Sequence, residues 1–272
     1  MVPQLGAPIG LIVAALLFSY LVSTLSAEDF LDFGWRYPFF VAFSVNVVAL
    51  FARLRIVASP EFQEAFETRE LQPTRIRTTF KSDWRAIWLA SFVPLASFAM
   101  FHMVTVFPLS WVFLYTDETL TFFLNLTAFS AAFGLVSVLV SGWLSDRFGR
   151  RRVLLWGSLG IGVFSLMAPL LLSGGKTGVS AYMILGFLVL GISFGLSSGA
   201  VASMFNSRNR YTNSAFASAL GWLFGAGLAP LTALFLSTTL GLFAAGLYLL
   251  SGAAATAVAL WLARQMEFQK QG

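Results

Sequence analysis

Residues 119–152 read TLTFFLNLTAFSAAFGLVSVLVSGWLSDRFGRRR: twenty-seven uncharged residues from Thr119 to Ser145, then a turn of seven that holds one acid and four arginines. A bilayer core of about 30 Å needs about 20 residues of helix to cross it, so the uncharged part is a membrane span. Val153 to Gly175 follows with no charge at all and makes a second. The chain therefore crosses, turns sharply through Asp146 to Arg152 and crosses back. Gly149 supplies the backbone freedom such a turn demands. Asp146 is placed to accept hydrogen bonds from Arg147 or from the amino-terminal amides of a neighbouring helix, and Arg150 to Arg152 are placed to reach lipid phosphates or acidic side chains.

The same pattern extends in both directions. Uncharged runs cover Met1 to Ala27, Tyr37 to Ala52, Ala86 to Thr116, Thr177 to Ser207 and Tyr211 to Ala263. Tyr37 to Ala52 is short and needs Arg53 and Arg55 to snorkel from its end. The last run holds two spans, and Ser237-Thr238-Thr239 before Gly241 is its natural break. The count is eight, and the predicted fold class is an all-α integral membrane bundle. Composition agrees: 58% of the 272 residues are hydrophobic and 11% charged, against about 25% charged in an ordinary soluble domain.

Lys and Arg fix the expected orientation. With the amino terminus inside, inner segments hold Arg53, Arg55, Arg69, Arg75, Arg77, Lys81 and Arg85 before the third span, and Arg147, Arg150, Arg151 and Arg152 after the fourth. They also hold Arg208 and Arg210 after the sixth, and Arg264 and Lys270 at the end, fifteen of the seventeen. Only Arg36 and Lys176 fall outside, where Glu28, Asp29, Asp32, Asp117 and Glu118 lie. This predicts a multi-pass protein of the inner (plasma) membrane with both termini cytoplasmic. The formal charge of +5 sits in short loops between spans, so it addresses the lipid bilayer and not nucleic acid. Met1-Val2-Pro3-Gln4 lacks the basic start of a cleaved signal and leads into a retained first span.

Residues 58–84 are the one long hydrophilic stretch and read as a cytoplasmic linker. Glu61, Glu64, Glu67 and Glu70 recur every three residues, which suits either a short surface helix or a solvated linker. Gly191, Gly195 and Gly199 in the sixth span, and Ser218, Gly221, Gly225 and Ala229 in the seventh, set small residues four apart on one face. Such stripes serve close packing or a sliding surface. Pro94, Pro108, Pro169 and Pro230 lie where they kink or cap a span. Trp84, Trp88 and Trp111 fall near span ends, where headgroup anchoring is the first reading.

Chemistry-bearing residues are few. A charge at mid-membrane costs about 2.5 to 3.5 kcal/mol, and no span carries one. His102 is the one titratable candidate inside a span, read either as a packed side chain near Thr105 or as a proton-linked group. Asn46 and Asn125 either face a cavity or bridge helices. With no cysteine, no phosphate-binding loop, no metal cluster and no convergent acids and bases, the expectation is a protein that is not an enzyme and uses no metal and no cofactor.

Gly142-Trp-Leu-Ser-Asp146-Arg147-Phe-Gly149-Arg150-Arg151 resembles the signature loop of the major facilitator superfamily, G-x-L-x-D-R-x-G-R-R. Phe205-Asn206-Ser207-Arg208-Asn209-Arg210-Tyr211-Thr212, before a Gly-rich span, is similar to the loop ahead of helix eleven in the metabolite:proton symporter subfamily. Gly34-Trp35-Arg36-Tyr37-Pro38-Phe39, Ser59-Pro60-Glu61-Phe62 and Gln4-Leu5-Gly6 resemble the same subfamily around its helices five and six. The resemblance implies that the eight spans correspond to helices five to twelve of a twelve-helix transporter. Residues 1–57 would be the last two helices of the amino-terminal bundle, 58–84 the linker, and 85–272 the carboxy-terminal six-helix bundle. It further implies symport of a proton with a small organic metabolite, an organic acid such as α-ketoglutarate or shikimate, or a zwitterionic osmolyte such as proline or betaine. Gly142, Asp146, Arg147, Gly149, Arg150 and Arg151 would form an inner gating latch. The alternative is a truncated or split product that does not transport alone, unless a separate chain supplies the missing helices.

Overall fold

The computed structural model describes residues 2–57, 59–60, 63–64, 76–205 and 209–271; for 76–82 and 265–271 it describes the backbone alone. All secondary structure among the described residues is helical. Eight helices among the described residues are long and apolar enough to cross a membrane: Val2–Thr24, Gly34–Val57, Asp83–Tyr115, Leu120–Phe148, Arg150–Ser173, Gly175–Ser203, Arg210–Leu240 and Leu242–Arg264. They are called here the first to eighth spans. The chain is a multi-pass membrane bundle, and the break in the last uncharged run falls at Gly241, whose φ of 89° ends one helix before Leu242 starts the next.

The core forms among the third to eighth spans. Phe98, Met100, Met103 and Phe107 of the third, Phe123 of the fourth, Ile161 of the fifth, Tyr182, Met183 and Phe187 of the sixth and Leu249 of the eighth are almost wholly buried. In lipid, helices gain little from burying apolar area against one another, so close approach and interhelical hydrogen bonds do the joining. Both are present. A Cβ on Gly191 would lie 2.6 Å from Ser137 Cβ and 2.7 Å from Gly134 O, so the small-residue stripe seats the sixth span against the fourth. Ser137 Oγ donates to Leu188 O at 2.5 Å, Ser158 Oγ to Ala253 O at 2.7 Å and Tyr182 Oη to Met103 O at 2.6 Å.

Proline shapes two of these spans. The third is interrupted at Val93–Pro94 and again at Val106, one residue before Phe107–Pro108. The seventh runs from Arg210 to Trp222, widens into a single π-helical turn at Leu223–Gly227, and resumes at Ala229–Leu240 with Pro230 in its first turn. Pro169, by contrast, is accommodated inside the fifth span.

The first span packs on the fourth, where Ser19 Oγ donates to Asn125 Oδ1 at 2.8 Å, and its leading turn reaches the sixth through a Gln4–Ser198 hydrogen bond. The second span is different. Ser26 caps a short helix, Ala27–Asp32, that leads towards it, and no side chain of Tyr37–Val57 is buried. Most of the 58–84 linker, including Glu61, Glu67 and Glu70, lies outside the described residues.

Candidate functional site

The fourth span ends on Gly149, at φ 86° and ψ 139°, and the fifth starts on the next residue. That backbone conformation is open to glycine and strained for any residue with a Cβ. The turn delivers two guanidiniums sideways. Arg150 Nη1 donates to Gly199 O of the sixth span at 3.0 Å, and Arg151 Nη2 donates to Leu260 O of the eighth. Arg150 thus meets the carboxy-terminal end of the sixth span, where the backbone dipole is negative, and Arg151 a carbonyl inside the helix Leu242–Gln271. Between them is a cleft of about 130 Å³ walled by Val93, Leu154, Ala200, Met204 and Leu260.

Gly142 is buried two turns earlier, where the fourth span still faces its neighbours. Arg147 lies over the rings of Trp143 and Phe148, at 5.7 and 5.5 Å from their centroids. Asp146 is exposed and makes no hydrogen bond or ion pair among the described residues in this conformation. The bonds that hold the turn to its neighbours come from Arg150 and Arg151.

A second polar contact stands at the same end of the bundle. Asp83, at the start of the third span, accepts from Asn213 Nδ2 at 2.6 Å and from Asn209 Nδ2 at 3.5 Å. Asn213 is fully buried at the start of the seventh span, and its Oδ1 has no hydrogen-bond partner. Arg210 Nε donates to Phe205 O at 3.3 Å; Arg208, with Asn206 and Ser207, lies outside the described residues. Neither residue stands out in the sequence: Asp83 falls in the 58–84 linker, and Asn213 directly follows the Arg210-Tyr211-Thr212 motif. The available signal was an acid immediately before one span and a carboxamide in the first turn of another.

The third feature is a cluster of rings inside the membrane. Trp222, the last residue before the π-turn of the seventh span, stacks on Phe98 at 4.3 Å between centroids and 15° between planes. Phe101 and His102 meet it edge-on at 5.8 and 6.0 Å, and Phe194 of the sixth span closes the group at 5.4 Å from Phe101 and 6.4 Å from Phe98. His102 is partly buried and its Nδ1 has no hydrogen-bond partner, while the Thr105 hydroxyl donates to Phe101 O at 2.7 Å. So His102 sits among aromatic edges and not in a polar pair. Faces of this kind attract cations, and a free imidazole nitrogen can take or give one hydrogen bond.

Of the asparagines, Asn125 bridges the fourth span to the first through Ser19, and Asn46 donates to Ala42 O on its own exposed helix at 3.0 Å. Trp88 stacks on Phe224 at 5.7 Å and Trp111 on Tyr115 at 4.3 Å.

Comparison with known proteins follows the same lines. A model of the Major Facilitator Superfamily matches residues 4–217. The chain is similar to the inner membrane metabolite transport protein YhjE of Escherichia coli K12, with 32% identity over 277 residues covering 98% of this chain and 62% of that protein. A putative metabolite transport protein of Haemophilus influenzae is 29% identical over 276 residues, 97% of this chain and 63% of its own. The proline/betaine transporter of Escherichia coli K12 is 30% identical over 234 residues, 79% and 45%. The chain spans less than two thirds of the length of each of these relatives.

Proposed function

The chain belongs to the major facilitator superfamily, and from that premise we propose that it works as the gating and substrate-facing part of a secondary transporter. The transporter would carry a small organic metabolite with a proton across the inner membrane by alternating access. The observation that carries this reading is the arginine turn. Two adjacent side chains, Arg150 and Arg151, hold the ends of two different spans by hydrogen bonds that a modest sliding of helices would break. Such contacts favour one conformation over another and so set which side is open. In this reading the arginine-rich end is cytoplasmic, both termini lie on that side, and Asp146 finds a partner in the other conformation.

Substrate class follows from the ring cluster. Phe101, His102 and Trp222 are half-buried and are backed by the buried rings of Phe98 and Phe194, so an aromatic surface suited to the cationic end of a zwitterionic osmolyte would come from Phe101 and Trp222, with His102 offering one polar contact. A metabolite transporter and a proline/betaine transporter stand among the similar proteins, which supports an organic acid or a zwitterion. The test is uptake of labelled betaine, proline and α-ketoglutarate in cells lacking their own carriers. The chain is expressed alone and joined to the four preceding helices of a relative. Proton-dependent uptake in the joined form, lost in Trp222→Ala, is the expected result; no uptake in either form would overturn the reading.

One observation favours a second reading, a unit that does not transport alone. The second span has no buried side chain, and its Asn46 carboxamide is exposed in the apolar layer. A polar group there is stabilised by a further helix from a separate segment or chain. Uptake by the chain alone would sink this second reading.

A further inference from the structure

The eighth span reaches into the break of the third. Pro94 has no N–H, and Ala90 O accepts instead from Val93 N at 3.3 Å. In an unbroken helix the Ala96 N–H would donate to Phe92 O. Here the connection runs through another helix: the Ala96 N–H donates to Thr256 Oγ1 at 2.9 Å, and the Thr256 hydroxyl donates to Phe92 O at 2.9 Å. One hydroxyl stands inside one rung of the helix ladder, at a site where Thr256 is 2% and Ala96 1% exposed. A side chain inserted in this way is a recognised cause of a sharp kink.

We propose that Thr256 is a releasable pin that sets the bend of the third span and so positions Phe98, Phe101 and His102 against Trp222. Every group involved can be satisfied in two ways. With the pin inserted, Ala96 N–H and Phe92 O each bond Thr256. With the pin withdrawn they bond each other, and the Thr256 hydroxyl turns to Gly252 O, four residues back on its own helix, as helical threonines commonly do. Neither arrangement leaves a buried donor or acceptor unpaired, which is the condition for two states of similar free energy. The surroundings are built for movement at this level. On the other face of the break, Gly221 and Gly225 allow the seventh span to lie against Ser91 O and Leu95 O, where a Cβ would come within 2.9 and 2.8 Å. The π-turn at Leu223–Gly227 interrupts that span at the same height. Closing the Ala96–Phe92 rung lessens the bend while Pro94 keeps the rest of it, and so turns Leu95–Thr105 and shears the Phe98–Trp222 stack.

The inference stands on backbone geometry and is tested without transport, so its failure would leave the proposed function untouched. The whole chain, purified in nanodiscs, is labelled with 5-fluorotryptophan; it has eight tryptophans, and the Trp222 fluorine signal is assigned by its loss in Trp222→Phe. Thr256→Val keeps the shape and removes the hydroxyl. The expected result is that the Trp222 signal shifts or splits while the signals of tryptophans away from the ring cluster stay in place, and that Thr256→Ser restores the original spectrum. A Trp222 signal unchanged in Thr256→Val would overturn the proposal. So would collapse of all the signals, since that would make Thr256 a fixed anchor and not a pin that the helix can do without.

Discussion

Gly149 is where a single residue decides the most. A Cβ placed there would touch nothing within 4 Å, so the cost of replacing it is backbone strain alone. Residues held in that region cost on the order of 1–3 kcal/mol. Gly149→Ala should lower stability by about that amount, read as a fall in the thermal unfolding midpoint in detergent. An unchanged midpoint would mean that the turn relaxes and that the arginines are not delivered by it. Asp83 and Asn213 make a second case. Their 2.6 Å bond joins the third span to the seventh with an amide donor that is wholly buried, and a hydrogen bond to a charged group contributes about 1.5–3 kcal/mol. A double-mutant cycle of Asp83→Asn and Asn213→Ala should give a coupling energy above about 0.5 kcal/mol. Strictly additive effects would dissolve the pair. These two residues also show where sequence reading stops. Gly149 announced itself through its immediate neighbours, because a turn is a local event. Asp83 and Asn213 are 130 positions apart, and nothing in either neighbourhood says which spans will lie side by side.

At the scale of the helix, small residues and prolines were legible for the same local reason. Glycine four apart marks a face, and proline removes a donor wherever it stands. What they did there was not legible. Gly191 meets Ser137 and Gly134, whereas Gly160, on the fifth span, has only Val189 Cγ1 within 4 Å of a Cβ, at 3.5 Å. The two should respond differently to one methyl group. Gly191→Ala must push the fourth and sixth spans apart and cost about 1–3 kcal/mol by overpacking. Gly160→Ala should be tolerated with little change in the unfolding midpoint. Equal losses in the two variants would show that the fourth–sixth contact is looser than its distances say. The prolines divide likewise: Pro94, Pro108 and Pro230 accompany real interruptions, and Pro169 does not. Sequence placed all four within or near the ends of spans, but not how the broken ladder is completed: Val93 N–H of the same helix meets Ala90 O, and Thr256 of the eighth span stands between Ala96 N–H and Phe92 O.

Across the whole molecule, eight spans followed from the length of uncharged runs, because the thickness of a bilayer imposes one length on every crossing. The second span, the shortest uncharged run, extends as Gly34–Val57 and takes Arg36 into its first turn and Arg53 and Arg55 into its last turns. Which face of the bundle meets which side of the membrane is a separate question, carried by fifteen basic residues against two. The absence of cysteine makes it directly measurable. Arg152 and Lys176 are both exposed, at opposite ends of the fifth span's reach, so single variants Arg152→Cys and Lys176→Cys can each be offered a membrane-impermeant maleimide. Arg152→Cys should label in inside-out vesicles and stay unreacted in intact cells; Lys176→Cys should do the reverse. The opposite pattern would turn the molecule over and put the Arg150–Arg151 clamp on the outer face, where it would gate entry and not release. Labelling of one site from both sides would mean mixed insertion. That would mean that a bias of fifteen basic residues against two does not by itself fix the orientation of the chain.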